Sequence, residues 1–254
     1  MLTLLVVRAI IKNMHRFLVD RIQGNTAVLT DVAQLHHIRD VLRLKINNKV
    51  IVFDGAGHEF TGIITSINKK QVALKVTPLQ KQRNSRAALT IACAIPKGSH
   101  MDDIIDCLTQ LGVARIIPMR TERVVVKLDA AKSETRLKRW QKIAQSAAQQ
   151  CQRNEIPIIA PLTDIKKVIV DSRSFDLKLI PHLSGERQLI KDVLSKKGYK
   201  NIIVLIGPEG DFTPAEVEFA LHNGFIPISL GDTVLRVATA AIVAAAYIRL
   251  ALDK

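Results

Sequence analysis

The sequence predicts a two-part α/β chain: a small β-barrel, then a mostly parallel sheet covered by helices on both faces. Three observations predict it. Short strand-like runs alternate around one helical stretch in the first 80 residues. A polar, aperiodic segment, Gln80–Arg86 (QKQRNSR), follows and makes a natural linker. Beyond it, apolar strand-like runs alternate with helical patterns, the signature of a parallel sheet.

The first part opens with Met14–Asp20 (MHRFLVD), expected as a strand. Asp31–Leu42 has helical spacing, with Leu35, Ile38, Val41 and Leu42 on one face. Three strand-like runs follow at Lys49–Asp54, His58–Ile67 and Gln71–Thr77, separated by Gly55-Ala56-Gly57 and Asn68-Lys69-Lys70 turns. These place a domain over 14–80 and a linker over 81–88, ahead of a second domain over 89–254. Residues 1–13 (MLTLLVVRAIIKN) mimic a signal peptide weakly. Charge sits inside and after the apolar run and no small-residue cleavage site follows, so a short N-terminal extension ahead of Met14 is expected.

In the second part, Leu89–Ile95 is a buried strand, Met101–Leu111 a helix stopped by Gly112, and Arg115–Met119 a strand. Glu134–Cys151 is a long helix with an apolar stripe through Leu137, Trp140, Ile143 and Ala147/Ala148. A strand is expected over Asp176–Ile180 and a helix over Glu186–Lys197. Asn201–Gly231 is the best-marked stretch. Ile202–Ile206 is a β-branched apolar run, and Gly207–Phe212 a tight loop. A helix then starts with Thr213 as cap, Pro214 at its first position and Glu216 three residues after the threonine, a capping box. Gly224 ends that helix and Phe225–Leu230 is the next strand, so two parallel strands flank a crossover helix. Val237–Ile248 is apolar but only 12 residues long, too short to span a bilayer, and reads as a buried helix.

Gly207–Phe212 and Gly231–Thr233 both leave the carboxyl ends of parallel strands, the edge where open α/β sheets bind small ligands. Glycines there let main-chain groups approach a ligand. His182 lies at the same edge, whereas His36 and His37 sit on the barrel helix. Charge adds a second clue. The formal net charge of +14 is uneven: residues 1–83 carry 13 basic against 5 acidic side chains, residues 84–254 carry 24 against 18. The first third thus holds more than half the excess, which favours an anionic partner, nucleic acid above all. Cys93, Cys107 and Cys151 are too few and scattered for a disulfide framework or a zinc site, which fits a cytoplasmic chain without a metal. The chain lacks a GxGxxG fingerprint, a phosphate loop, HExxH and GxSxG.

The segments LIGPEGDFTPAEVEFA and SLGDTVLRVATAAIVAA resemble the second and third cofactor loops of SPOUT-class RNA methyltransferases. With MHRFLVD, HHIRDVLRLK, FDGAG, PKG, QLGV, TERVVVK and RWQKIAQSAAQQCQRN, the chain from residue 14 onward is similar to the RsmE family, which methylates N3 of a uridine in 16S ribosomal RNA. The resemblance implies a PUA-like RNA-binding barrel, a SPOUT domain whose chain end threads a trefoil knot, a homodimer, and S-adenosylmethionine as cofactor. It implies a cofactor site at His182, Leu183, Gly207, Pro208, Glu209, Gly210, Leu230, Gly231, Leu235, Arg236 and Thr239. Arg236 and Glu209 are the implied catalytic residues. Arg236 would stabilise a developing imide anion, with phosphate contact or a structural pair with Glu209 as the open alternative. Arg16, Arg39, Arg43, Lys97, Arg123 and Arg153 are the candidate RNA-binding cations.

The chain departs from the family pattern at four places: Asp211 stands for a usual glycine, and Ala238, Gln110 and Gln149 for usual acids. These leave open an alternative, a diverged RNA-docking protein of the same fold that methylates poorly or not at all, and a third possibility, another target position in the RNA.

Overall fold

The computed structural model describes residues 14–79, 86–98, 100–123, 130–183, 185–195 and 198–252. The chain forms two compact units, Met1–Arg83 with Ala148–Ile156, and Asn84–Ala147 with Pro157–Lys254.

In the first unit, β1 (Arg16–Leu18), β2 (Arg21–Gln23), β3 (Thr26–Leu29), β4 (Lys49–Phe53), β5 (Glu59–Ile67) and β6 (Val72–Pro78) form one sheet in the order β1-β4-β5-β6-β3-β2. Its two edge strands are consecutive in the chain and separated by only Val19 and Asp20. Val19 N–H donates to the Phe53 carbonyl and Asp20 N–H to the Val28 carbonyl. A sheet whose opposite edges are joined by two residues must curl on itself, so the barrel expectation holds. Phe17, Leu29, Val52, Ile64 and Leu74 fill its core with Leu35 and Ile38 of the helix.

That helix corrects the expectation of one regular helix over Asp31–Leu42. Asp31 caps α1 (Val32–His36) by accepting the Gln34 N–H at 2.9 Å. His37–Val41 then widens into a π-helical turn, closed by Leu42 N–H on the His37 carbonyl. The extra residue rotates the apolar face: Ile38 stays buried, while Val41, expected beside it, is exposed. The β2–β3 hairpin, turned at Gly24, lies outside the strands expected from the sequence.

In the second unit the strands are β7 (Ala88–Ala94), β8 (Arg115–Arg120), β9 (Ile158–Ile159), β10 (Thr163–Asp164), β11 (Leu177–Pro181), β12 (Gln188–Leu189), β13 (Asn201–Ile206) and β14 (Ile226–Ser229). All their pairings are parallel, in the order β10-β8-β7-β13-β11-β14-β12, with β9 also on β8. The helices are α2 (His100–Gln110), α3 (Ala130–Gln150), α4 (Ile165–Asp171), α5 (Ile190–Val193), α6 (Pro214–His222) and α7 (Val237–Leu252). The helix expected over Glu186–Lys197 is mostly absent among the described residues. Gln188 and Leu189 instead add an edge strand to β14, and only the four residues of α5 are helical. Edge pairing outcompetes the helical pattern here because β14 offers a free row of main-chain groups. The crossover β13–α6–β14 does join parallel strands, but they are not neighbours: β11 lies between them. The expected linker falls mostly outside the described residues, as does the N-terminal extension.

Candidate cofactor cleft and its relatives

The strand order brings the carboxyl ends of β11, β13 and β14 side by side, with the chain leaving β13 and β14 on either side of β11. Three loops, after Pro181, Ile206 and Ser229, wall one cleft at that edge, where ligands bind in open α/β sheets. The cleft opens to solvent and is lined by apolar side chains together with a few charged ones.

The β13 loop is held firmly. Gly207 packs against its own loop: a Cβ there would stand 3.1 Å from the ring of buried Phe212. Asp211 adopts a left-handed backbone, φ 58°, and its carboxylate accepts the Phe212 N–H at 2.8 Å and the Leu183 N–H at 3.0 Å. Aspartate tolerates this conformation because its short side chain bonds locally. Glu209 accepts the Lys97 N–H at 3.2 Å, and Arg123 Nη1 donates to the Gly210 carbonyl at 2.6 Å. The capping box stands as expected: Thr213 and Glu216 bond reciprocally, and Glu216, 5% exposed, also accepts the Glu122 N–H at 2.8 Å.

His182, Leu183, Gly207, Pro208, Glu209, Leu230, Gly231 and Leu235 line the cleft. Gly210, Arg236 and Thr239 do not, and Arg236 and Thr239 are exposed. Arg236 and Glu209 form no ion pair among the described residues. The Leu183 N–H is already taken by Asp211, leaving its carbonyl for a ligand. Arg187, Asp211 and Val234 line the cleft without having been expected there. Arg187 was hidden in a segment with a helical pattern. Asp211 left one sequence signal, an acid where the family pattern has glycine.

Two titratable groups mark the surroundings. His182 Nδ1 is buried without a hydrogen-bond partner, and burial lowers the imidazole's pKa, with Asp211 opposing that shift. Its lone polar atom suits a ligand that supplies the missing bond. Cys93 on β7 is fully buried, its pKa pushed up to about 12 by desolvation and then by Glu209, so it stays a thiol rather than a nucleophilic thiolate.

The expected RNA-binding cations have diverse settings. Arg16 is bound to Glu59 and Asn154 and lies 4.7 Å from the Phe53 ring centroid, so its guanidinium is occupied inside the first unit. Arg39 lies beside Asp40 at 3.3 Å. Arg43 and Lys97 are exposed, Arg153 is half-exposed, and Arg123 braces the β13 loop.

Residues 83–249 match the RNA methyltransferase domain family, and residues 29–77 match the RNA methyltransferase PUA domain family. A relative from Synechocystis, ribosomal RNA small subunit methyltransferase E, is 34% identical over 90% of this chain and 74% of its own. The chain belongs to the ribosomal RNA small subunit methyltransferase E family. The Neisseria gonorrhoeae member of that family, solved bound to S-adenosyl methionine, matches with TM-score 0.81 and 29% identity over 93% of this chain and 97% of that one. A methyltransferase structure from Legionella pneumophila in complex with SAM matches with TM-score 0.83 and 31% identity, covering 94% of this chain and 98% of that one. The family fold thus fits both sheets.

The departures from the family pattern fall outside the cleft, Asp211 excepted. Gln110 donates to Asp106 at 2.6 Å, Gln149 to Gln34 at 2.7 Å, and Ala238 does not line the cleft. Among the described residues no helix is long and apolar enough to cross a membrane, and no cluster of His, Cys, Asp and Glu could hold a metal ion.

Proposed function

We propose that this enzyme, acting in the cytoplasm, transfers a methyl group from S-adenosylmethionine to N3 of a uridine in 16S ribosomal RNA. The observation that carries the reading is the cleft at the ends of β11, β13 and β14, walled by Gly207, Pro208, Glu209, Leu230 and Gly231. The chemistry of its walls fits the cofactor. Ile206, Ile228 and Val237 offer apolar surface to an adenine, Glu209 and Asp211 suit its positive charges, and the unpartnered His182 Nδ1 awaits a polar group. When bound, S-adenosylmethionine supplies an electrophilic methyl on a sulfonium, which departs as a neutral thioether.

The protein's own contribution is mainly positioning, since in-line displacement gains most from a held geometry. The braced β13 loop supplies one rigid wall. The uracil N3 proton must leave before or as the new N–C bond forms. Arg236 is the cation assigned to the imide anion: it is exposed and sits between Leu235 and Val237, both of which line the cleft. Glu209, on the opposite wall, is assigned to orient the site.

The basic first unit supports RNA binding, with exposed Arg43 and with Arg39 and Arg153 as phosphate contacts. Homodimerisation is supported by an exposed apolar stripe on α7, where Val243, Tyr247 and Leu250 follow one another at helical spacing. Threading of the chain end into a trefoil knot is supported by the order β13-β11-β14, in which the chain returns on the far side of a strand laid down earlier.

The test is incubation of the purified chain with methyl-labelled S-adenosylmethionine and small ribosomal subunits, followed by nucleoside mass spectrometry. Label in N3-methyluridine is expected. Label on another nucleoside would move the target, and no transfer by folded, cofactor-binding protein would overturn the reading.

A further inference from the structure

Asp211 is one of four non-glycine residues with a left-handed backbone among the described residues, and the one of the four in the cleft wall. Glycine would adopt φ 58° without steric cost, so the side chain there calls for a reason. Part of the reason is local. Each carboxylate oxygen accepts one main-chain N–H, from Phe212 and from Leu183, and so ties the β13 loop to the β11 loop. Those two bonds use half of the acceptor capacity of a carboxylate.

The charge is unused by that account. Four side chains that can carry charge line the cleft: Glu209, Asp211, Arg187 and His182. Arg187 donates to the His182 carbonyl at 3.2 Å, and no ion pair joins it to either acid among the described residues. Glu209 meets the main-chain N–H of Lys97. Burial keeps His182 toward its neutral form. The cleft therefore carries two formal negative charges against one positive. The methyl donor carries a sulfonium, an ammonium and a carboxylate, a net of plus one. Its product, S-adenosylhomocysteine, has lost the sulfonium charge and is net neutral.

We propose that Asp211 is a specificity residue for the charge of the cofactor: its carboxylate makes the cleft favour the sulfonium donor over the neutral thioether product. The same residue thereby assists product release, because the attraction it adds vanishes with the methyl group. This inference rests on the assignment of the cleft to the methyl donor.

Calorimetric titration of the full-length protein with S-adenosylmethionine and, separately, with S-adenosylhomocysteine tests it. Asp211→Asn removes the charge and keeps a residue at home in the left-handed region, but its one amide oxygen can replace only one of the two carboxylate acceptors, so one main-chain bond is lost for both ligands alike. The variant is expected to weaken the donor about fivefold to tenfold more than the product, the scale of one partly screened charge at close range. Added salt should shrink the wild-type preference and leave the Asn variant's unchanged. Asp211→Gly removes both main-chain bonds; it should show the same lost preference with a further weakening common to both ligands. Equal weakening of both ligands in Asp211→Asn, or no change in either, overturns the inference. Thr233→Trp, which plugs the cleft mouth from an exposed position, separates the two readings. Loss of both ligands in that variant supports the cleft assignment. Wild-type binding of both overturns the assignment itself.

Discussion

The two glycine loops that face each other across the cleft are built in opposite ways. Gly207–Phe212 is tied by Lys97 to Glu209, by Arg123 to Gly210, and by Asp211 to Leu183, and it runs straight into the capping box of α6. In the loop from Gly231 to Arg236, Ser229 Oγ bonds to the Gly231 main chain at one end and the Arg236 carbonyl accepts the Ala240 N–H at the other, while Val234 between them is 75% exposed. One wall is preorganised; the other has few contacts to lose when it moves, the mark of a segment from the low-stability end of a fold. The difference teaches a division of labour. If the cleft holds the cofactor as proposed, the tied wall is the one that fixes its position and the untied wall the one with freedom to move.

The sharpest way to break that contrast is to untie the firm wall at its root. Glu216→Ala removes the acceptor for the Thr213 and Glu122 N–H groups in a buried setting, and a loss of about 3 kcal/mol in denaturant unfolding is expected, from a lost cap plus stranded donors. An effect under ~1 kcal/mol would mean that the wall does not depend on its cap.

Arg123→Ala frees the exposed Gly210 carbonyl and removes a longer contact to the Phe212 carbonyl. Titration with S-adenosylmethionine should show about tenfold weaker binding, roughly 1.4 kcal/mol, with little change in the unfolding midpoint. If stability and affinity fell together, the arginine would be a general structural brace.

Val234→Ala probes the loose wall. The side chain is mostly exposed, so stability should stay within about 0.5 kcal/mol. Cofactor affinity should fall about threefold, roughly one buried methylene's worth of contact, if the wall closes. Unchanged affinity would show that the wall stays open.

The smallest effect concerns pH. Burial lowers the His182 pKa, so below about 6.5 the unfolded chain binds more protons than the folded one and stability falls with acidification. The contribution is fully present above that pH. His182→Gln should flatten the slope of stability against pH between roughly 5 and 7, and an identical slope in both proteins would remove His182 from the account.

Much of the cleft was legible from residue types alone. Thr213, Pro214 and Glu216 spell a helix start by local hydrogen bonding, and the helix begins there. Gly207 and Gly231 marked the two loops, and both line the cleft. Arg187 was not legible, because its position depends on Gln188 and Leu189 joining the edge of β14, a long-range pairing that outweighs helical periodicity. Arg16 looked like a surface cation by charge. It is an internal one, because Glu59 and Asn154, far along the chain, converge on it. Val41 fell on the expected apolar face and is exposed, since a π-helical turn shifts the phase.

Taken alone, the sequence determined the two-part architecture, the parallel sheet and the family. These follow from local propensity, hydrophobic period and motif, each contained in a few neighbouring residues. The tertiary structure alone decided that β11 sits between β13 and β14, that Asp211 ties one loop to another, and that Lys97 and Arg123 brace the β13 loop. The physical reason is that strand order and loop bracing arise from pairings between distant residues, whose geometry no local pattern encodes.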